Sequence, residues 1–247
     1  MQRPRENSVA KTETVVANDQ HNHRRKQQRG TAAQNIALLL ASVTIVYGST
    51  MAVKEHHFKR RLAYSTVSNL SYIVLAASLM TQSGLTASLA HMLFHALIKI
   101  TLFFCAGAVM VKTGRTQIED LRGLAKVMPF TCATYTVGAI SLMGTPLLPG
   151  FVSKWLIGSA AIETGTAMGM VGVAALLISA VLTAIYLMGP ALSMYFRPLE
   201  GMEKVVNCDP GLRMRLPFAV LAVAIVLCGL FSDPIITLLA NLSAGVM

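Results

Sequence analysis

Three titratable side chains recur at every fourth position in one apolar stretch: His91, His95 and Lys99. On an α-helix this spacing gathers them within about 80° of one face. Imidazoles both donate and accept protons near neutral pH, and a lysine taken out of water gives up its proton more readily than one in solution. The row therefore has the chemistry of a proton relay. Lys99 stands at least ten residues inside the apolar run 89–111, about 15 Å deep at 1.5 Å per residue, which is too far to reach the surface fully. Two histidines on one helix, with no partner histidine in any other apolar run, suit haem poorly. A metal at the His91–His95 spacing would lack a cysteine or carboxylate to complete its shell. Neither a metal nor another cofactor is expected.

A second lysine, Lys154, follows the segment Gly144-Thr145-Pro146-Leu147-Leu148-Pro149-Gly150. Pro146, Pro149 and Gly150 mark a helix break. Carbonyls and amides left unpaired at membrane depth are tolerated only beside protein or a water-filled cavity. A lysine at such a break matches the discontinuous ion-handling helices of transporters. Another apolar run carries Tyr64, Ser65, Ser68, Ser71 and Tyr72, of which Tyr64, Ser68 and Tyr72 repeat the every-fourth spacing. Those hydroxyls could hold water through which protons hop, or could simply join helices. The same packing alternative applies to the histidines and lysines. No carboxylate lies inside any apolar run; Glu163 and Asp233 fall at run ends. The counter-charge of Lys99 and Lys154 must then come from water, from loss of a proton by one of them, or from outside the chain.

Such side chains need elements that cross a membrane. The 247 residues are 54% hydrophobic and 13% charged, against about 25% charged in soluble domains. That balance excludes a disordered chain, a collagen-like repeat and most water-soluble domains. An all-α, polytopic helical membrane fold with about six spans is expected: 36–53, 62–80, 89–111, 129–162 with its break between Pro146 and Gly150, 166–195 and 216–231. The apolar tail 234–247 is too short to cross. Three domains follow: a basic polar leader over 1–35, the transmembrane domain over 36–233 and the tail.

Charge gives the orientation. Loops 54–61, 112–128 and 197–215 hold twelve Lys and Arg, whereas the connections near 81–88, 163–165 and 232–233 hold none. The positive-inside rule puts the basic loops on the cytoplasmic side of a bacterial or archaeal plasma membrane, or the equivalent side of an organellar inner membrane. The net charge of +10 is then a property of membrane topology, and no nucleic-acid partner is expected. The leader has seven basic residues and no aromatic one; it is not a signal peptide and reads as disordered or surface-bound. It precedes a span whose N-terminal end must face outward, against the charge rule. Earlier spans that fix direction would remove the conflict, so the chain reads as the C-terminal part of a longer membrane protein. Cys105, Cys132, Cys208 and Cys228 lack paired spacing and read as small buried hydrophobes.

The run Phe58-Lys59-Arg60-Arg61-Leu62-Ala63-Tyr64-Ser65-Thr66-Val67-Ser68 resembles a segment of the antiporter-like subunits of respiratory complex I. Their family includes the Mrp cation/proton antiporters and the membrane arms of energy-converting hydrogenases. His91, His95 and Lys99, followed by Phe103, Ala106 and Gly107, resemble that family's histidine-and-lysine helix. Ile118-Glu119-Asp120-Leu121-Arg122-Gly123-Leu124 with Met128-Pro129 resembles the surface segment after it, and Pro149-Gly150-Phe151-Val152-Ser153-Lys154 the broken helix. The four motifs keep their order over 54–156, and the likeness extends towards Phe231.

The resemblance implies proton conduction along a hydrated axis, with Lys99 as central relay, Lys154 near the exit, and His91 and His95 leading from Lys99 to the outer half. It implies partners in the form of other membrane subunits, and an enzyme only as part of a quinone oxidoreductase-like or hydrogenase complex. Family members have about fourteen spans in two inverted repeats, so an upstream half supplied by another chain is a further expected partner. His57 stands where the family usually has an acid. The wording around 90–106 and at Lys154-Trp155 leans to the Mrp and hydrogenase branches. No Rossmann glycines or cluster cysteines are present, so redox chemistry belongs to partners. The other reading is a non-conducting scaffold, or a truncated inactive fragment, that only docks other subunits.

Overall fold

The computed structural model describes residues 31–198 and 208–246; the leader over 1–35 lies outside them up to residue 30. The apolar runs become helices, namely α1 (Thr31–Lys54), α2 (Phe58–Ser78), α3 (Gln82–Thr113), α4 (Pro129–Met143), α5 (Pro149–Glu163), α6 (Ala167–Phe196), α7 (Leu212–Leu230) and α8 (Ser232–Ala244). Four of them, α1, α3, α6 and α7, are long and apolar enough to cross a membrane. Their outward side chains, such as Leu177, Val181 and Ile185 on α6 and Val220 and Val223 on α7, are exposed and suit lipid. The described residues from 38 onward form one compact unit, and the described 31–37, assigned to a second, are helical.

Local signals set the boundaries. Thr81 accepts from the Gly84 amide at 3.0 Å and Thr166 from the Gly169 amide at 3.1 Å, so α3 and α6 start on side-chain caps. Pro129 and Pro149 open α4 and α5, where a missing N–H costs nothing. The tail, expected only to be too short to cross, folds as the 13-residue α8 and joins Ser243 to Thr86 of α3 at 2.7 Å. Cys105 and Cys132 are buried as expected; Cys208 and Cys228 are only partly so, because one lies in a loop and the other on the sparsely covered α7.

The described parts of all three basic loops are joined at one end of the helices. Phe58 N donates to Thr116 O and Ile118 N to His56 O, each at 2.9 Å, and Cys208 N donates to Val127 O at 2.7 Å. Asp209 caps α4 from that third loop, accepting from Phe130 N, Thr131 N and the Thr131 hydroxyl at 2.8 to 3.1 Å. His56 Nδ1, 2.6 Å away, holds the Glu119 carboxyl below the usual carboxylate range, and the His57 amide does the same for Glu55. Pro190, inside α6, cannot donate to the Tyr186 carbonyl one turn back. The Arg61 guanidinium takes that place at 3.2 Å while also reaching the carbonyls of Glu55 and Val53.

Two apolar clusters form the core. One, nearer the basic loops, contains Ala52, Leu62, Ile98, Leu102, Leu148 and Leu187. The other contains Ile45, Leu75, Ala87, Ile157 and Leu176. On each of five helices the chain passes from one cluster to the other, and polar residues occupy the crossing. Ser49 lies there on α1; Ser65, Ser68 and Asn69 on α2; His91 and His95 on α3; Lys154 on α5; Ser179 and Thr183 on α6. All are buried. A polar band thus separates two apolar layers.

Candidate functional site

The helix break builds the first half of the site. α4 ends at Gly144 with φ 101°, in the left-handed region glycine favours. Gly144 N and Thr145 N turn back to Ser141 O and Ile140 O, while other carbonyls of the last turn lack helical partners. Lys154 Nζ takes two of them, Leu142 O at 2.7 Å and Met143 O at 3.2 Å. Its ammonium therefore sits at the negative end of the α4 dipole. Leu147, within the break, adopts φ 71°, a conformation that costs a residue with a Cβ about 1–2 kcal/mol. Gly150 lets α5 press on α4: a Cβ there would lie 1.8 Å from Ser141 O. A cavity of about 680 Å³ between α5 and α6 opens beside Lys154, with Trp155, Leu177 and Glu163 among its walls.

Lys99 forms the second half. Its Nζ donates to Leu62 O at 2.8 Å and to the Ser65 hydroxyl. Lys99 and Lys154 are 5% and 6% exposed, and among the described residues no carboxylate comes within ion-pair distance of either. His91 and His95 stack on the same helix, with ring centroids 5.8 Å apart and planes 17° apart. His91 Nδ1 lies 2.9 Å from Ser153 Oγ, one residue before Lys154. Tyr72 meets the His91 ring edge-on at 5.4 Å and has Lys154 Nζ 5.9 Å from its own ring. In space the order is Lys99, His95, His91, then Ser153 and Tyr72 beside Lys154.

When Ser153 Oγ gives its one proton to Pro149 O at 3.1 Å, its oxygen accepts from His91 Nδ1–H, and a neutral His91 then presents its lone pair at Nε2. The Nε2 atoms of both histidines are buried and find no partner among the described residues, as are Asn69 Oδ1 and Ser141 Oγ. Buried polar atoms are nearly always paired, and water is the usual partner when protein is not. These unpaired atoms give the band polar partners for water.

The structure thus brings together Lys99, His95, His91, Tyr72 and Lys154. Ser68 belongs to a neighbouring hydroxyl cluster with Ser49 at 2.8 Å and Ser179 at 3.2 Å. Tyr64 does not join them; it is half-buried against the apolar cluster near Leu62. Pro146 lies in the break, and Pro149 and Gly150 begin α5. Sequence reasoning passed over Asn69, Ser153, Ser179, Thr183 and Tyr186. A usable signal was present: Ser65, Asn69 and Tyr72 on α2, and Ser179, Thr183 and Tyr186 on α6, both follow a four-then-three spacing on one helical face.

Residues 25–183 match the family described as NADH:quinone oxidoreductase/Mrp antiporter, transmembrane. NADH-quinone oxidoreductase subunit N of Desulforudis audaxviator is 36% identical over 209 residues, covering 80% of this chain and 41% of that one. The F(420)H(2) dehydrogenase subunit N of Methanosarcina mazei is 35% identical, covering 81% and 41%. Among solved structures, a chain of an archaeal membrane-bound sulfane sulfur reductase superposes with a TM-score of 0.78 at 31% identity, covering 87% of this chain and 42% of that one. A chain of the Mrp complex from Dietzia sp. gives 0.74 at 25% identity, covering 85% and 46%. The chain spans about two fifths of the length of these two curated relatives. Family match, helical fold and the order of the four motifs agree, and the chain belongs to the NADH:quinone oxidoreductase/Mrp antiporter transmembrane family.

Proposed function

We propose that this chain relays protons across the membrane within a multi-subunit assembly, coupled to cation exchange or to redox chemistry performed by partner subunits. One observation carries the reading: two buried lysines without carboxylate partners, Lys154 within the polar band and Lys99 reaching Ser65 at its edge, with stacked histidines between them. A fixed buried charge without a counter-ion is costly, whereas a group that gains and loses a proton is charged only in passing. Lys99 is the central relay, His95 and His91 carry the proton on, and Lys154 passes it towards the edge of α5. The printed names of the relatives, an oxidoreductase subunit, a dehydrogenase subunit and an Mrp complex, support membrane subunits as partners.

Lys154→Ala in the complete assembly is expected to lower proton translocation about tenfold or more, short of the roughly hundredfold and upward that a positioned acid–base group contributes. Translocation is read as a pH gradient in reconstituted vesicles, with subunit composition checked by co-purification. Parent-like transport in an intact assembly would remove Lys154 from the path. Transport unaffected by loss of either lysine would leave the docking scaffold as the function.

The same proposal places the three basic loops on the cytoplasmic side, supported by their charge and by the bonds that join them. A single cysteine introduced at Lys126 should react with an impermeant maleimide only from the cytoplasmic side, and one at Gly165 only from the opposite side. Reversed labelling would invert the orientation.

A further inference from the structure

Ser153 stands one turn into α5 and meets His91 of α3, and both side chains are buried. The serine oxygen lies 2.9 Å from His91 Nδ1, 3.1 Å from Pro149 O and 3.4 Å from Gly150 O. It carries one proton, so two arrangements compete. If the serine donates to Nδ1, the pair makes one hydrogen bond. A neutral His91 must then carry its proton at Nε2, a buried atom with no partner among the described residues. If the serine donates to Pro149 O, its oxygen is free to accept from Nδ1–H, and two hydrogen bonds form instead of one. Only a lone pair is then left unpaired at Nε2, and buried N–H groups are orphaned more rarely than acceptors. The additional hydrogen bond favours the second arrangement by about fivefold.

Resting on the relay reading above, we propose that Ser153 is a positioning residue for His91: by accepting from Nδ1–H it keeps Nε2 as the atom at which this imidazole takes up and gives back a proton. Tyr72, edge-on, and His95, stacked, set the plane of the ring, while the Ser153 bond sets which nitrogen is turned to α5. Ser153 is in turn held by the helix break, because Gly150, three residues before it, lies against the Ser141 carbonyl with no room for a Cβ. The proton step balances at one atom. A bond from Nε2 to the incoming proton forms, and the same bond breaks on release. Nδ1 keeps its hydrogen throughout, and Ser153 keeps its own on Pro149 O. Ser153 therefore conducts nothing; it spares His91 an exchange of tautomers between passages. The break thereby serves two titratable groups, Lys154 through the α4 carbonyls and His91 through Ser153.

The test prepares the complete assembly with histidine isotopically labelled at both ring nitrogens and reads their protonation by nitrogen NMR. The His91 signals are those lost in His91→Gln. Above the usual imidazole titration range the parent is expected to show a protonated Nδ1 and a bare Nε2. Ser153→Ala removes the acceptor without adding bulk. It should mix the two tautomers of His91 and lower proton translocation about fivefold, the equivalent of one hydrogen bond's worth of preference. A bare Nδ1 in the parent overturns the assignment. So does Ser153→Ala with the parent tautomer, or with parent-like transport, since either leaves Ser153 a packing residue. The relay reading fails separately, by full transport in Lys99→Ala; an inactive Lys99→Ala beside an unchanged Ser153→Ala rejects the role of Ser153 alone.

Discussion

Lys99→Ala is expected to reduce proton translocation by the assembled complex by roughly two orders of magnitude, the lower end of what removal of a positioned acid–base group costs. Its ammonium reaches Ser65 at the edge of the polar band, and among the described residues no carboxylate comes within ion-pair distance to replace it. Folding should suffer less than transport, because Leu62 O keeps the Thr66 hydroxyl at 2.9 Å after Lys99 is gone. Lys99→Arg separates charge from titration. Arginine keeps a positive charge at the site but does not release its proton, so its transport should be nearly as low as that of the alanine variant. Vesicle pH-gradient measurements on both variants decide the matter. An arginine variant that transports at the parent rate would show that only a fixed charge is needed and would end the relay interpretation.

Gly150→Ala should be the most disruptive single methyl in the described chain. The added Cβ would lie 1.8 Å from Ser141 O and 2.8 Å from Ser141 C, backbone atoms that cannot turn aside. The two helices must separate by more than 1 Å, and Lys154 must then loosen its hold on Leu142 O and Met143 O. We expect a cost of about 3 kcal/mol or more, at the upper end for overpacking, together with lost transport. Gly107→Ala and Gly158→Ala are the controls. Nothing lies within 4 Å of a Cβ at either, and alanine in a helix is favoured over glycine by about 0.5–1 kcal/mol. Thermal unfolding in detergent should therefore rank Gly150→Ala far below both. Equal stability of all three would mean that α4 and α5 are not in contact at the break.

Much of this was legible in the sequence because it is local. The apolar runs gave the helices, though α1 begins five and α3 seven residues before the expected start because polar and small residues open both; paired prolines and glycines gave the break, and the spacing of His91, His95 and Lys99 gave their common face. The loops could be grouped by charge alone. What the sequence did not disclose is what anchors each lysine. Ser65 lies 34 residues from Lys99, and Leu142 lies 12 residues before Lys154, so these partners are set by packing and not by pattern. On α2 the every-fourth series from Tyr64 competed with the series from Ser65. Polar residues occupy more than one face of that helix, and only the neighbours decide which face is buried. Asp209 could not be read as the cap of α4 because it lies in another loop, 79 residues from Phe130.

The layering of the core has an electrical consequence. Two apolar slabs flanking a hydratable centre behave like two capacitors in series, and an applied voltage drops mainly across the slabs. A proton arriving at the central layer from either face would cross about half of the transmembrane potential, doing or receiving roughly 1.2 kcal/mol of work per 100 mV. Each half-passage would then depend on voltage about half as steeply as a full crossing.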